Sequence, residues 1–323
     1  MRYINVQDDQ TLVFDTTNPP SVSSNECLIK VKAAGVNRAD LLQKAGKYPP
    51  PKGSSSILGL EVCGEVVSIG ENVEGVDVGD SVMALLSGGG YAEFVNVDAH
   101  HVLPLPDDYS IIDGGGFMET FVTAFQALFD YGRLQTGQNV LIHAGASGVG
   151  TAAISLAKAI GCHVVVTAST EEKCKACIEL GADVAINYKN QDFVSVCKEL
   201  NTFFHVVVDV VAGDYVNRNL NVMGPDGHIV ILSILGGRFV QKLDIAKMLQ
   251  KRVSIHASTL RNRTDDYKAS LIARLNDQFG HLLSSSNPLK PTIYKAFDWN
   301  CVEQAHELLA ENQSVGKVVL TLN

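Results

Sequence analysis

The chain has 323 residues, of which 46% are hydrophobic and 19% are charged. It is therefore long enough for two domains, each with its own hydrophobic core. The formal net charge of −9 argues against a nucleic-acid-binding surface, since no basic block compensates the acidic excess. Residues 1–8 lack the apolar core of a signal peptide, and no uncharged apolar run could span a bilayer, so we expect a cytoplasmic protein without a membrane partner.

Residues 1–117 contain short alternating, β-branched segments, separated by turns rich in proline, glycine and aspartate. Such alternation is typical of strands with one buried face. The pattern predicts an all-β, barrel-like domain. We expect the C-terminal tail to return to this domain as a further strand. The predicted strands are 27–33, 63–69, 81–85, 92–97 and 316–322.

Between residues 139 and 257, short apolar runs alternate with helical patterns, and glycines mark several of the boundaries. Apolar strands joined by helices predict an α/β fold with a doubly wound parallel sheet, the Rossmann architecture. The predicted strands are 139–143, 163–167, 183–186, 205–209, 228–232 and 252–257. The predicted helices are 148–160, 171–180, 191–200, 214–223 and 238–251.

The first of these strands ends at closely spaced glycines, and a helical pattern begins directly behind them. A strand that feeds a helix in this way can direct backbone amides and the positive end of the helix dipole at a pyrophosphate. Ser147 stands at the second glycine position of the G-x-G-x-x-G pattern. Taken alone, the loop fits a tight turn in any α/β domain equally well. As a nucleotide site, it would use the backbone of Ala146, Ser147, Gly148, Val149 and Gly150.

Several motifs follow one another along the chain, at 34–40, 58–66, 75–82, 122–128, the glycine loop within 140–158, and 316–320. Their order resembles the medium-chain dehydrogenase/reductase superfamily over essentially the whole chain. Within it, the chain is most similar to the zinc-free quinone oxidoreductases. The resemblance implies a discontinuous GroES-like β-barrel domain at residues 1–117 and 260–323, and a Rossmann domain at residues 118–259.

The resemblance also bears on a metal site. Zinc alcohol dehydrogenases of the superfamily take ligands from a cysteine in the first motif and from a Gly-His-Glu in the second, positions held here by Asn37 and Leu60. Glu119 stands where a third ligand would be, and we interpret it as a helix-start or hydrogen-bonding residue. An amide and an aliphatic side chain cannot form a tetrahedral zinc site, so we predict no metal. Without a Lewis acid to stabilise an alkoxide, an electron-poor acceptor is favoured over an alcohol.

The end of the second predicted Rossmann strand indicates which nucleotide binds. It carries Ser169 and no carboxylate, which leaves room for a 2′-phosphate. In the quinone oxidoreductases, the positions of Lys173 and Tyr188 contact this phosphate. The acidic pair Glu171–Glu172 argues the other way, although acidic residues are also favourable in the first turn of a helix. We predict NADPH as the cofactor.

Further cofactor contacts follow from the resemblance. The backbone after the fifth strand should approach the nicotinamide half, and residues after the sixth strand should close the site. Thr123 should lie near the nicotinamide carboxamide, and the returning tail should reach the cofactor. These predicted contacts are Ser233, Ile234, Leu235, Ser258, Leu260 and Lys317.

The predicted reaction is zinc-independent hydride transfer from NADPH to a quinone in the cleft between the domains. Asn37 would donate a hydrogen bond to the quinone oxygen, which gains negative charge. Asp40 would orient Asn37 from behind or serve only as a hydrogen-bonding turn residue. Tyr48 would stack on the nicotinamide or the quinone, or donate a proton, or act as a hydrophobic plug. With Thr123, these are the predicted catalytic residues.

Two other functions fit the same residues. The first is NADPH-dependent reduction of activated carbon–carbon double bonds in enones or enoyl thioesters. The second is a structural or sensor protein that binds NADPH and turns over slowly. In each case the expected partner is a small molecule, and we expect a homodimer that forms through the sheet edge near residues 228–233.

Overall fold

The computed structural model describes residues 1–286 and 288–322, so Asn287 and Asn323, both in the predicted segment 260–323, lie outside the described residues. The chain divides into two compact units. Unit 1 combines Met1–Val122 with Leu260–Asn323, and unit 2 is Thr123–Thr259. The first boundary follows Val122, within the helix Met118–Phe125, whereas we predicted it after residue 117.

The regular elements follow one another with short connections. Up to residue 125 they are β1 (Arg2–Val6), β2 (Leu12–Thr16), β3 (Glu26–Val36), α1 (Arg38–Lys44), β4 (Glu61–Ile69), β5 (Ser81–Leu85), β6 (Phe94–Asp98), β7 (Val102–Pro104), α2 (Ile111–Gly115) and α3 (Met118–Phe125). A π-helical segment (Gln126–Tyr131) precedes β8 (Asn139–His143), α4 (Gly148–Ala159), β9 (His163–Ala168), α5 (Glu171–Glu179), β10 (Val184–Asn187), α6 (Phe193–Glu199), β11 (Phe204–Asp209), α7 (Tyr215–Val222), β12 (Met223–Ile231), α8 (Ile245–Lys251) and β13 (Ser254–Ala257). The remainder contains α9 (Asp265–Leu283), β14 (Ile293–Asp298), α10 (Val302–Ala310) and β15 (Lys317–Thr321).

Unit 1 is built around a seven-stranded sheet in the order β14-β15-β3-β4-β5-β7, with β6 also paired to β3. The long strand β3 pairs antiparallel with β4 and β6, and its buried residues, such as Ile29 and Val31, form part of the core. The tail returns to this sheet as expected, because β15 pairs antiparallel with β3, with Leu320 opposite Ala34. This pairing brings the start of β15 beside the end of β3.

Unit 2 is a six-stranded parallel sheet in the order β10-β9-β8-β11-β12-β13. In the order of its own strands this is 3-2-1-4-5-6, the doubly wound arrangement of the Rossmann fold. The central strands are covered on both faces, because buried residues occupy one face (Leu141, Val165 and Val207) and also the other (Ile142, Val166 and Val208). The direction of the strand order reverses between β8 and β11, and ligands bind outside the carboxyl ends of strands at such a point.

Two elements of unit 2 differ from the prediction. The predicted strand 228–232 begins earlier, at Met223, which takes the last residue of the predicted helix 214–223. The predicted helix 238–251 is only Ile245–Lys251, because the Asp244 side chain accepts a hydrogen bond from the Lys247 N–H and caps the helix there. Within the described part of the chain, none of the helices combines the length and apolar character needed to cross a membrane.

Candidate functional site

A buried ion pair joins β4 to β15 in unit 1. The Lys317 Nζ lies 2.7 Å from the Glu61 Oε1, and the two side chains are 3% and 0% exposed. Lys317 also donates to the Val36 carbonyl oxygen at 2.9 Å and to the Asn37 Oδ1 at 2.7 Å. The ammonium thus has two hydrogen-bond acceptors and one paired carboxylate, all within unit 1. The cofactor contact that we predicted for Lys317 stays a prediction.

Asn37 lies directly before α1 and is held from three sides. Its Nδ2 donates to the Glu61 Oε1 at 3.0 Å and to the Gly35 carbonyl oxygen at 3.3 Å, while its Oδ1 accepts from Lys317. Gly35 permits this arrangement, because a Cβ atom there would lie 2.3 Å from the Glu61 Oε1. To donate to an acceptor oxygen as predicted, Asn37 must give up the longer bond to Gly35.

Asp40 is fully buried and holds the backbone around Asn37. Its carboxylate accepts from the Asn37 N–H at 2.8 Å, the Gly59 N–H at 3.0 Å and the Tyr91 hydroxyl at 3.3 Å. Burial raises its pKa to about 6, although the two backbone hydrogen bonds oppose the shift. We predicted Asp40 among the catalytic residues. With 0% exposure it cannot touch a substrate, so it is a positioning residue.

Sequence reasoning missed two residues, Tyr91 and His306, that extend the hydrogen-bonded cluster beyond Asp40. The Tyr91 hydroxyl lies 3.1 Å from the His306 Nε2, and both side chains are buried. Burial lowers the pKa of His306 to about 4, so the ring is neutral near neutral pH. Tyr91 follows a glycine run and His306 lies on α10, and no local pattern links them.

Glu119 lies in the first turn of α3, beside the same ion pair. Its backbone N–H donates to the Glu61 Oε2 at 2.9 Å, in accord with the predicted helix-start position. Its side chain is half-buried. Burial and the nearby Glu61 raise its pKa to about 8, against the opposing charges of Lys317 and Arg261. The sequence contained one signal for this carboxyl, its place at the third zinc-ligand position.

Arg261 is buried beside Tyr48. Its Nε donates to the Ser87 carbonyl oxygen at 2.8 Å and its Nη1 to the Tyr48 carbonyl oxygen at 3.4 Å. Its guanidinium carbon lies 5.5 Å from the centroid of the half-buried Tyr48 ring. Among the described residues its Nη2 has no hydrogen-bond acceptor. The preceding residue, Leu260, is buried and contributes an apolar side chain at the predicted position.

The glycine loop of unit 2 is tightly folded on itself and against the neighbouring strand β9. A Cβ atom on Gly150 would lie 2.4 Å from the Ala144 carbonyl oxygen, and one on Gly145 would lie 2.6 Å from the Val166 side chain. Ser147 is the N-cap of α4, because its Oγ accepts from the Gly150 N–H at 3.0 Å. A close-packed loop that opens a twelve-residue helix fits the pyrophosphate of a dinucleotide. This loop contains the predicted contacts 146–150.

One of the two acidic residues after β9 has a hydrogen-bond partner. The Glu171 Oε1 accepts from the Asn187 Nδ2 at 2.6 Å, a contact that sequence reasoning missed. Thr170 is the N-cap of α5 and accepts from the Lys173 N–H at 3.2 Å. Ser169 is half-buried at the end of the strand. One of the two carboxylates that argued for a ribose contact is therefore engaged by an amide.

Cations and an aromatic ring lie beyond this strand end. Burial lowers the pKa of Lys173, and the charge of Lys189 lowers it further, so the two ammonium groups act on one another. Sequence reasoning did not single out Lys189. The Tyr188 side chain is 45% exposed, and its N–H donates to the Ala168 carbonyl oxygen at 3.0 Å. Two cations and an exposed ring fit a 2′-phosphate.

A buried polar network supports the carboxyl ends of β8 and β11. The His143 Nε2 lies 2.8 Å from the Asn219 Oδ1, and the Asn219 Nδ2 donates to the Asp209 Oδ2 at 2.9 Å. The Asp209 Oδ1 accepts from the N–H groups of Val211 and Ala212 at 2.7 and 2.9 Å. The network fixes the turn after β11, and nothing in the sequence pattern singled it out.

The remaining predicted contacts of unit 2 lie in different surroundings. The Gly236 N–H donates to the Val211 carbonyl oxygen at 2.7 Å, which ties the loop after β12 to the turn after β11. In that loop Ser233 is half-buried, while the side chains of Ile234 and Leu235 are 59% and 60% exposed. The buried Ser258 donates to the Gln126 Oε1 at 2.6 Å, and Thr123 is half-buried on α3.

The predicted residues therefore form two groups. In unit 1, Asn37, Asp40 and Lys317 share one hydrogen-bonded cluster, and Arg261 contacts Tyr48. In unit 2, most of the others directly follow the ends of β8, β9, β10, β12 and β13, while Lys173 lies on α5 and Thr123 lies on α3. Within residues 1–286 and 288–322, no group of three or more His, Cys, Asp or Glu side chains is placed to hold a metal ion.

Comparisons with known proteins place these features in a family. Residues 23–107 match the family model for the alcohol dehydrogenase GroES-like domain, and residues 148–277 match the model for zinc-binding dehydrogenases. A quinone oxidoreductase from Mus musculus is 28% identical over 312 residues, which cover 94% of this chain and 91% of that protein.

Other similar proteins are larger or show the fold alone. A phenolphthiocerol/phthiocerol polyketide synthase from Mycobacterium tuberculosis is 28% identical over 333 residues, which cover 99% of this chain but only 15% of that protein's length. The crystal structure of CurK enoyl reductase superposes with a TM-score of 0.86 at 24% identity, covering 100% of this chain and 99% of that chain. The chain belongs to the medium-chain dehydrogenase/reductase superfamily and is similar to its quinone oxidoreductases.

Proposed function

We propose that the chain reduces quinones with NADPH and without zinc. The observation that carries the proposal is the cluster of Asn37, Glu61 and Lys317, in which Asn37 holds a position where related zinc enzymes bind their metal. Its amide is hydrogen-bonded to the charged pair, and Leu60 beside it is aliphatic and buried. This donor set suits polarisation of a carbonyl oxygen more than coordination of zinc.

The cofactor preference rests on unit 2. Lys173 and Lys189 place positive charge beyond β9, and Asn187 engages the carboxylate of Glu171. These features support NADPH over NADH, because an extra phosphate gains from cations and a ribose hydroxyl gains from a carboxylate. When bound, the nicotinamide supplies the hydride.

The residues of unit 1 orient and polarise the acceptor. The Asn37 Nδ2 donates to the acceptor oxygen after releasing the Gly35 carbonyl oxygen, and the nearby Lys317 charge stabilises the negative charge that develops there. Asp40 holds the Asn37 backbone, and Tyr48 packs against the acceptor ring. We keep Thr123 as a contact of the nicotinamide carboxamide.

A second candidate function is the reduction of carbon–carbon double bonds next to a carbonyl. Such a reaction needs a proton at carbon as well as a hydride, and the raised pKa of Glu119 supplies a carboxylic acid in the cluster. Both functions use the same positioning of a carbonyl oxygen. They differ in which acceptor is turned over.

A steady-state comparison separates the candidates. The purified chain is assayed with NADPH against an ortho-quinone, a para-quinone and an α,β-unsaturated ketone of matched size. We expect the highest kcat/KM with a quinone, and we expect Asn37→Leu to lower it by about 10²-fold to 10³-fold, the usual effect of losing one oxyanion donor. Faster turnover of the enone than of either quinone would favour the second candidate, and no turnover of any acceptor would refute both. A cytoplasmic location and a homodimer remain predictions.

A further inference from the structure

The carboxyl group of Glu119 lies beside the buried ion pair of Glu61 and Lys317. The Lys317 ammonium donates to Val36 and Asn37 and is ion-paired with Glu61, and both amide hydrogens of Asn37 have acceptors. Among the described residues, the Glu119 carboxyl itself forms neither a hydrogen bond nor an ion pair, and only its backbone N–H is bonded, to Glu61. This half-buried carboxyl is therefore left without a neutralising partner.

Its electrostatic surroundings favour the neutral acid. Burial and the Glu61 carboxylate, whose Oε2 accepts from the Glu119 backbone, raise the pKa of Glu119 to about 8, and Lys317 and Arg261 oppose this only in part. Near neutral pH the group therefore carries a proton that it can release. The titratable and charged groups that act on it are Glu61 on β4, Asp40 on α1, Lys317 on β15, Arg261 after β13, and Tyr48 after α1.

We propose that Glu119 is the proton donor of the reduction. The inference rests on the proposed function and adds a catalytic residue to it. The acceptor gains two electrons with the hydride, NADPH is oxidised to NADP⁺, and the negative charge appears on the acceptor oxygen. The Glu119 O–H bond then breaks as its proton passes to the acceptor. The resulting carboxylate recovers a proton from water, so the net reaction consumes one NADPH and one proton per acceptor.

Two observations make Glu119 a better proton donor than Tyr48. Burial and the Glu119 charge raise the pKa of Tyr48 above its usual value of 10.0, so its phenolate is the more costly conjugate base. The buried Nη2 of Arg261 has no acceptor among the described residues, and its charge favours the Glu119 carboxylate. The positive charge of Arg261 is therefore already in place to stabilise the Glu119 carboxylate when Glu119 loses its proton.

The test compares Glu119→Gln with Tyr48→Phe and with Glu65→Gln, a matched change at an exposed position of β4. We expect Glu119→Gln to lower kcat by about 10²-fold to 10⁴-fold, the usual contribution of a general acid. In the unmodified chain kcat should fall as pH rises through about 8, and this decline should be absent in Glu119→Gln. An unchanged pH profile in Glu119→Gln, or its loss in Tyr48→Phe instead, would overturn the proposal.

A second measurement does not depend on turnover. Infrared difference spectra between pH values below and above the pKa should show a protonated carboxyl band that Glu119→Gln removes and Glu65→Gln retains. If no acceptor is reduced, the proposed function fails, while the presence of this band still establishes the acid. If the acceptor is reduced and the band is missing, the proton donor is not Glu119. Absence of the band therefore overturns the inference in either case.

Discussion

The carboxylates of the two units are stabilised in different ways. In unit 2, the Asp209 carboxylate accepts hydrogen bonds from uncharged groups, the amide of Asn219 and the backbone of Val211 and Ala212. In unit 1, the carboxylates of Glu61 and Glu119 lie close enough to raise the pKa of one of them, and a single buried ammonium pairs with the other. Uncharged partners hold a loop in one geometry, whereas crowded charges create a group that exchanges a proton in the neutral range.

The largest effect that sharpens this contrast is expected from Lys317→Met. Removing the ammonium leaves Glu61 buried at 0% exposure without its partner, which costs about 3–5 kcal/mol of unfolding free energy. Urea denaturation measures this loss of unfolding free energy. The matched control is Lys158→Met, whose pair with Asp183 is about one-third exposed on both sides and is worth about 0–1 kcal/mol. Equal losses in the two variants would contradict the contrast.

A second prediction concerns the charged end of unit 2. Lys173→Ala should weaken NADPH binding by about 1.5–3 kcal/mol, the value of a charge-assisted hydrogen bond, and should leave NADH binding almost unchanged. Titration of each nucleotide measures the two affinities. Lys175→Ala is the control, because this side chain lies on the same helix and is 79% exposed. An unaltered preference for NADPH would exclude the 2′-phosphate contact.

A third, smaller effect is expected in the uncharged network. Asn219→Ala leaves the Asp209 Oδ2 and the His143 Nε2 without their shared partner. A buried polar group left unpaired costs about 1–3 kcal/mol. Thermal unfolding measures the loss, and Asn190→Ala, an exposed asparagine, should change stability by less than about 0.5 kcal/mol. An Asn219→Ala variant of unchanged stability would show that the turn after β11 does not need the network.

The last prediction uses the pH dependence of stability. The folded chain raises the pKa of Glu119 from 4.5 to about 8, so between these values the folded state holds a proton that the unfolded state releases. The contribution of this group to stability is complete below pH 4.5 and is lost as pH rises through about 8. Relative to the unmodified chain, Glu119→Gln should therefore become more stable with rising pH. A pH-independent difference in the unfolding free energies would disprove the shift.

Much of the fold could be predicted from local patterns. The strand β8 has the predicted bounds, and the glycine loop directly behind it opens α4. The helix α8 was predicted too long, because the cap at Asp244 is a single contact within a mixed polar and apolar segment whose spacing is also typical of a helix. Periodicity reports which face is buried, and side-chain caps decide where an element begins.

The candidate site was predictable in its residue types and less so in its contacts. The absence of zinc-ligand types at Asn37 and Leu60 is visible in the sequence. That Lys317 donates its ammonium hydrogens to Asn37, from which it is separated by 280 positions, is not visible there. Tyr91 is likewise 51 positions from its partner Asp40 and 215 positions from its partner His306.

The sequence by itself determined the alternation of strands and helices, the glycine loop that opens α4, and the residue types at the positions of the zinc ligands in related enzymes. These properties depend on neighbours within a few turns of chain, and local periodicity and composition record them. Only the tertiary structure decided which charges meet and how deeply they are buried. The pairing of Lys317 with Glu61 and the raised pKa of Glu119 arise from strands β4 and β15 and helix α3 packing together. A pKa depends on desolvation and on the nearest charges, and neither exists until the chain has folded.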